Sequence, residues 1–260
     1  MTAAERWRQA LESWALPEHV LASAEESPWI HPPELFEVPR DIAPTVSHDR
    51  AREALVGGTT VLDVGCGGGI AAFALAPPAS RVIGVDHQPA MLAMFGANAS
   101  QRQLDYEVVE GFWPAVSASV PIADVATAHH VAYNVADIVP FLRALDEHAR
   151  VRVVLELPEH HPLSSMAPAW QHFWQLERPV APTPQDLMDV LEEMGLAAQR
   201  HQWTAPTRDA PYDLERAARF MRIRLCLPSP REREVYEYLV ANPIDLTRDL
   251  STVWWDTTVQ

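Results

Sequence analysis

The chain has 260 residues, 48% hydrophobic and 21% charged, with a net charge of −15 at pH 7, which is the balance of a folded globular protein and excludes pervasive disorder. All 20 basic residues are arginine and face 35 acidic ones, so no basic surface is expected to grip a phosphate backbone, and nucleic acid is excluded as the expected partner. Two cysteines cannot build a disulfide framework, no apolar run reaches membrane-spanning length, and MTAAERWRQALESW carries charges where a signal peptide is apolar; a cytoplasmic protein with no membrane partner is expected.

In chain order, Trp7, Leu11 and Trp14 recur at helical spacing and mark one apolar face, which has to cover the active site, pack on its own core or meet a second subunit. Pro17 opens a second short helix, and Pro28, Pro32, Pro33, Pro39 and Pro44 then oppose continuous helix. Ser47 is expected to cap a helix through Leu55 that ends at Gly57-Gly58. Short apolar runs follow at 60–65, 81–86, 105–110, 123–128 and 151–156, separated by segments long enough for crossover helices. That alternation predicts an α/β, doubly wound, mostly parallel sheet. The segment HPLSSMAPAWQHFWQLERP after the fifth run reads as a lid rather than a crossover. Beyond it, PQDLMDVLEEMGL predicts a helix ended by Gly195, AAQRHQW a strand, 211–226 and 230–241 helices, and 251–258 a last strand. The two late strands fit an antiparallel pair at the sheet edge, with the helical insertion between them free to roof a pocket. Three segments are expected: a helical cap over 1–45, a cofactor-binding core over 46–205, and an insertion plus last strand over 206–260 that completes the same domain.

The stretch VLDVGCGGGIAAF places Gly65, Gly67, Gly68 and Gly69 between a strand and a helix, where a bare backbone comes close to a ligand. A phosphate loop needs Lys-Ser or Lys-Thr at its end, and Ile70-Ala71 stands there. Gly67, Gly69 and Ala72 satisfy the dinucleotide pattern G-x-G-x-x-A, a weak match by itself. Asp63 separates the readings. A carboxylate two residues before Gly65 repels a pyrophosphate and attracts an ammonium or sulfonium. Asp86 ends the second strand about 20 residues on, where a carboxylate takes ribose hydroxyls, and Glu110-Gly111 ends the third.

With Asp63-Val-Gly65-Cys-Gly67-Gly-Gly69, Val85-Asp86, Met91-Leu92, Glu110-Gly111 and Asp124 in this order, the chain resembles the class I S-adenosylmethionine-dependent methyltransferases over roughly residues 45 to 200. The resemblance implies a Rossmann-like seven-stranded sheet with an antiparallel last strand and S-adenosylmethionine as cofactor. It implies that Asp63, Gly65, Cys66, Gly67 and Gly69 face the methionyl part, Asp86 the ribose, and His87 and Met91 the adenine. Glu110, Gly111 and Phe112 would complete the adenine side, with Phe112 standing where many relatives place an aspartate. His129 would touch cofactor through its backbone. Cys66 reads as a turn residue, because direct methyl transfer needs no nucleophile.

Methyl transfer to a hydroxyl requires removal of a proton. Candidate groups follow the fourth strand, in AHHVAYN, and the fifth, in ELPEHHP: His129, His130, Tyr133, Asn134, Glu156, Glu159, His160 and His161. A histidine general base is therefore expected, together with a small-molecule acceptor, a sugar or other polyhydroxylated metabolite first and a natural-product hydroxyl next. Trp29, Trp113, Trp170 and Trp174 fall in regions able to line the acceptor side. A divalent ion is the less favoured reading, since adjacent histidines point apart and no helical i, i+4 pair stands out. The alternatives are an N-methyltransferase, a non-catalytic cofactor-binding regulator and a nicotinamide-dependent oxidoreductase; monomer and homodimer both fit.

Overall fold

A computed structural model describes residues 1–29, 36–56, 59–205, 213–245 and 247–257. The five apolar runs form β1 (Thr60–Val64), β2 (Arg81–Asp86), β3 (Asp105–Glu110), β4 (Ala123–His129) and β5 (Ala149–Pro158), all parallel. β6 (Gln199–Ala205) and β7 (Arg248–Asp256) follow, and β7 enters between β5 and β6 antiparallel to both. The seven-stranded order is β3-β2-β1-β4-β5-β7-β6, as the resemblance implies. β5 extends past the expected 151–156 at both ends. Its partner β7 holds it from Arg152 opposite Asp256 to Pro158 opposite Leu250. β7 starts at Arg248, earlier than expected, because it pairs with β6 as far as Ala205; residue 258 lies outside the described residues.

Helices cover both faces of the sheet, which explains the near-continuous apolar strands. On one side α1 (Ala3–Glu12), α6 (Ile138–His148) and α8 (Pro184–Glu193) pack on Leu62, Ile83, Ala126, Val153, Leu155 and Trp255. On the other, α3 (Val46–Glu53), α4 (Ile70–Phe73) and α5 (Pro89–Gln101) pack on Val61, Val82, Val125, Val154 and Trp254. The apolar face of α1 is taken up by the chain's own core: Trp7 and Trp14 are buried and Leu11 packs against the same cluster. The Trp7 Nε1–H donates to the Val135 carbonyl at 2.8 Å, and that of Trp14 to Ala181 at 2.7 Å.

A third core joins α2 (Glu18–Leu21), α7 (Ala167–Trp174), α9 (Leu214–Arg224) and α10 (Glu232–Ala241). The lid-like segment therefore forms α7 and shares a core with the late insertion. Trp170 and Trp174 belong to that core and Trp113 packs against the first, whereas Trp29 is exposed. Arg222 ties the insertion to the N-terminal segment by an ion pair to Glu26 at 2.6 Å, and α9 to α10 by one to Glu232 at 2.9 Å.

The cap of α3 departs from expectation. Thr45, not Ser47, is the N-cap: its hydroxyl accepts from the His48 N–H at 3.4 Å, while His48 Nδ1 accepts from the Thr45 N–H at 3.1 Å. This reciprocal pair satisfies two otherwise orphaned donors. Ser47 sits two residues further on, within the first turn, and its buried hydroxyl pairs with Thr252 of β7 at 2.7 Å. The expected stop at Gly57-Gly58 lies outside the described residues. Gly195, with φ +78°, ends α8 as predicted.

Candidate active site at the carboxyl ends of the strands

The glycine turn leaves β1 and enters α4 with Gly65 at φ +70° and Gly69 at φ +98°, a region L side chains avoid. Space forbids a side chain as well: a Cβ at Gly65 would stand 2.5 Å from Val131 Cγ2, and one at Gly69 would enter the Phe73 ring. Part of the need for glycine is thus internal packing. The Phe36 ring covers Gly67, where an added Cβ would come within 3.1 Å of it, so the N-terminal segment reaches the turn.

The two acids of the motif are used differently. Asp63 is 1% exposed and lies within the fold, accepting from the Ala72 N–H at 3.3 Å and from the Thr127 hydroxyl at 3.3 Å. Burial pushes its carboxyl up to about 7, with the Asp86 charge adding to the rise. Burial thus weakens the negative charge that Asp63 presents, and its hydrogen bonds brace the turn from within. Asp86 stands at the strand end with its carboxylate accepting from Gly67 N–H at 3.1 Å and Gln88 N–H at 2.9 Å. A carboxylate offers about four acceptor positions, so hydroxyl donors can join these two amides. Cys66 is buried, and its thiol is pushed far up by burial and then by the charges of Asp63 and Asp86. A thiol held protonated is no nucleophile, which agrees with a turn residue.

At the ends of β2 and β3, His87 and Phe112 stack with centroids 4.6 Å apart and planes at 19°. Phe112 is 69% exposed, so this pair offers a flat face. Met91 is buried in α5, and Glu110 is exposed where β3 ends. Gly111, at φ +147°, donates its N–H to the Asp86 carbonyl at 3.0 Å. An acid with spare acceptor positions beside a glycine turn, and an exposed ring pair, fit an adenosine-bearing group.

The histidines separate into distinct environments. His130 Nε2 lies 3.0 Å from Glu156 Oε1, and its main-chain N–H donates to the Glu156 carbonyl at 2.7 Å. The residue adopts φ +61°, a costly conformation for a side chain that the surroundings impose. His129 Nδ1 is 4.0 Å from the same carboxylate oxygen, and its Nε2 is buried without a partner. Burial lowers the His129 pKa, against the attraction of Glu156. Desolvation also works against the Glu156 charge, but the His129 and His130 imidazoles outweigh it and hold the carboxyl well below the usual range. The Thr45 hydroxyl donates to Glu156 Oε2 at 3.3 Å.

Other candidates are committed elsewhere. His161 stacks on Trp14, centroids 3.9 Å apart, and meets Tyr133 edge-on. The Tyr133 hydroxyl donates to the Pro158 carbonyl at 2.8 Å, and burial pushes the phenol up. Glu159 binds Arg200 at 2.5 Å and accepts from the Ser251 hydroxyl, which ties it to β6 and β7. His160 and Asn134 are exposed. Among the described residues no group of three or more His, Cys, Asp or Glu side chains is placed to hold a metal ion, and no helix is long and apolar enough to cross a membrane.

One member of the cluster escapes sequence reasoning. His48, 3% exposed, stacks on His129 with centroids 5.6 Å apart. Burial and then His129 lower it to about 3, so it is neutral at pH 7 with its proton on Nε2. The Thr45-x-x-His48 capping spacing was the available signal, but it speaks only of a helix start.

Residues 61–152 match the family model described as a methyltransferase domain. A ubiquinone biosynthesis O-methyltransferase of Ruegeria pomeroyi is 24% identical over 181 residues, covering 64% of this chain and 71% of that protein. Among solved structures, the YcgJ protein of Bacillus subtilis aligns with a TM-score of 0.56 at 16% identity, over 81% of this chain and 97% of that one. The cyclase SpnF aligns with a TM-score of 0.54 at 16% identity, over 82% of this chain and 80% of its own. These structures share the fold, and a cyclase among them means that fold alone does not set the reaction. With the strand order, the glycine turn and the domain match together, the chain carries a methyltransferase domain over residues 61–152 within a fold that resembles the class I S-adenosylmethionine-dependent methyltransferases.

Proposed function

We propose that the protein is a cytoplasmic enzyme that transfers a methyl group from S-adenosylmethionine to a hydroxyl oxygen of a small polar molecule, a sugar or other polyhydroxylated metabolite first. His130 is the general base and Glu156 the residue that orients it. The turn at Gly65, Cys66, Gly67 and Gly69 would take the methionyl part, Asp86 the ribose, and His87, Met91, Glu110, Gly111 and Phe112 the adenine. When bound, the cofactor supplies an electrophilic methyl carbon on a positively charged sulfur.

The observation that carries the reading is the pair formed by His130 and the buried Glu156, 3.0 Å apart. Directing the Nε2–H at the carboxylate fixes the tautomer and leaves Nδ1 with a free lone pair. Among the described residues Nδ1 has no hydrogen-bond partner, and the side chain is 42% exposed, so an acceptor hydroxyl has access to it. Nδ1 would take the proton of the acceptor hydroxyl, and Glu156 would stabilise the imidazolium that forms. The O-methyltransferase relative supports oxygen as the accepting atom.

The test is methyl transfer from labelled cofactor to a panel of sugars and phenols, with His130→Gln and Glu156→Gln beside wild type. Transfer to oxygen that both variants slow by ~100-fold or more supports the dyad. Transfer to nitrogen only, or unchanged rates in both variants, rejects it.

A further inference from the structure

Trp14, Tyr133, His161, Trp170 and Arg178 form a second cluster, next to the carboxyl ends of β4 and β5, and its charge is unbalanced. The Arg178 guanidinium lies 5.0 Å from the Trp14 ring centroid and 5.4 Å from that of Trp170. It donates through Nη2 to the Trp14 carbonyl at 2.5 Å, whereas its Nε is buried with no acceptor. Among the described residues it has no carboxylate partner, in a chain with 35 acidic residues. Burial makes this guanidinium easier to deprotonate than usual, yet an arginine keeps its charge in any protein setting.

A second donor is unmet in the same stack. Trp170 is 1% exposed and its indole N–H has no acceptor. His161 stacks on the Trp14 ring and accepts the Leu163 N–H at Nδ1, 3.3 Å away. Burial and then the Arg178 charge bring it down to about 4, so at pH 7 it is neutral with its proton on Nε2. Donors at 161, 170 and 178 therefore belong to one stack, and the nearby carboxylates of Glu159 and Asp186 act on Tyr133 while none shifts Arg178. Buried donors and charges of this kind are costly unless an acceptor arrives.

We propose that this cluster is an oxyanion subsite of the acceptor pocket, in which Arg178 binds a carboxylate or phosphate of the substrate. This narrows the acceptor to an acid-bearing small molecule and rests on the acceptor pocket proposed above. Tyr133 links the two places. It follows His130 by three residues, its hydroxyl bonds the strand end at Pro158, and its ring meets His161 at 5.5 Å.

Titration calorimetry of benzoate, inorganic phosphate and the neutral benzamide into protein saturated with S-adenosylhomocysteine tests the subsite, with Arg178→Gln and Arg178→Lys alongside. At least one anion is expected to bind at least ~10-fold more tightly than benzamide, with Arg178→Gln weakening it ~10-fold or more and Arg178→Lys retaining part of it. Binding of benzoate alone identifies a carboxylate, and of phosphate alone a phosphate. Failure of both anions to bind more tightly than benzamide in wild type, or an unchanged Arg178→Gln, overturns the proposal. S-adenosylhomocysteine affinity should be equal in all three proteins. Its absence in wild type would instead defeat the cofactor reading, while the same titrations without it still report on Arg178. The wild-type comparison decides the matter if Arg178→Gln does not fold.

Discussion

Replacing Asp63 by Asn isolates a titration that the fold imposes. The native carboxyl has its pKa raised from 3.8 to about 7 by burial, with the Asp86 charge contributing. A raised value means that the native state holds this proton where the unfolded chain has lost it. Its stability is therefore full below about pH 4 and falls as pH rises through 7. The ionisation penalty is on the order of 4 kcal/mol at high pH, of which about 3 kcal/mol develops between pH 5 and 8. Asn keeps the geometry: its carbonyl can accept the Ala72 N–H, and its amide can donate to the Thr127 hydroxyl, which donates in turn to the Leu62 carbonyl at 3.2 Å. Urea denaturation of both proteins at pH 5, 6, 7 and 8 reads the difference. The variant should gain about 3 kcal/mol relative to wild type across that range, equivalent to roughly 6–12 °C in Tm. A pH-independent difference, or a variant that loses ground as pH rises, would refute the assignment of Asp63 as an interior brace.

Glu156→Gln should lower kcat by ~100-fold or more while S-adenosylhomocysteine affinity changes less than twofold, because the carboxylate acts on His130; equal losses in rate and cofactor affinity would instead mark a folding defect. Trp7→Phe removes the hydrogen bond to Val135 and leaves a void beside Tyr133, and a destabilisation of about 2–4 kcal/mol is expected by urea denaturation. His161 is lowered to about 4, so its contribution is present above about pH 6.5 and lost as pH falls toward 4. His161→Gln should accordingly suppress about 2 kcal/mol of the acid-induced loss of stability, a figure reduced for its partial exposure.

The sheet was legible because strands covered on both faces must be apolar along their length, and β1, β2 and β4 announce themselves by that run alone. The late pair β6 and β7 was legible as strands but not to the residue, since their ends depend on which partner extends furthest. The glycine turn and the strand end at Asp86 were legible because their geometry is local to one turn and one strand. The direction in which Asp63 points is not local: only the approach of Thr127 and Ala72 draws it inward. The same limit hid His48, which reaches His129 through the packing of α3 across the sheet, and hid the division of four neighbouring histidines between Glu156, an aromatic stack and solvent. The lid reading of 161–179 missed α7 because its partners in α9 and α10 lie far along the chain.

Calorimetric titration of S-adenosylhomocysteine into wild type and Asp86→Asn tests the cofactor assignment most directly. One-site saturable binding is predicted for wild type, weakened ~10-fold or more in the variant, in which an amide replaces the carboxylate that would accept the ribose hydroxyls. No heat with wild type, or equal affinity in the two proteins, would contradict the account.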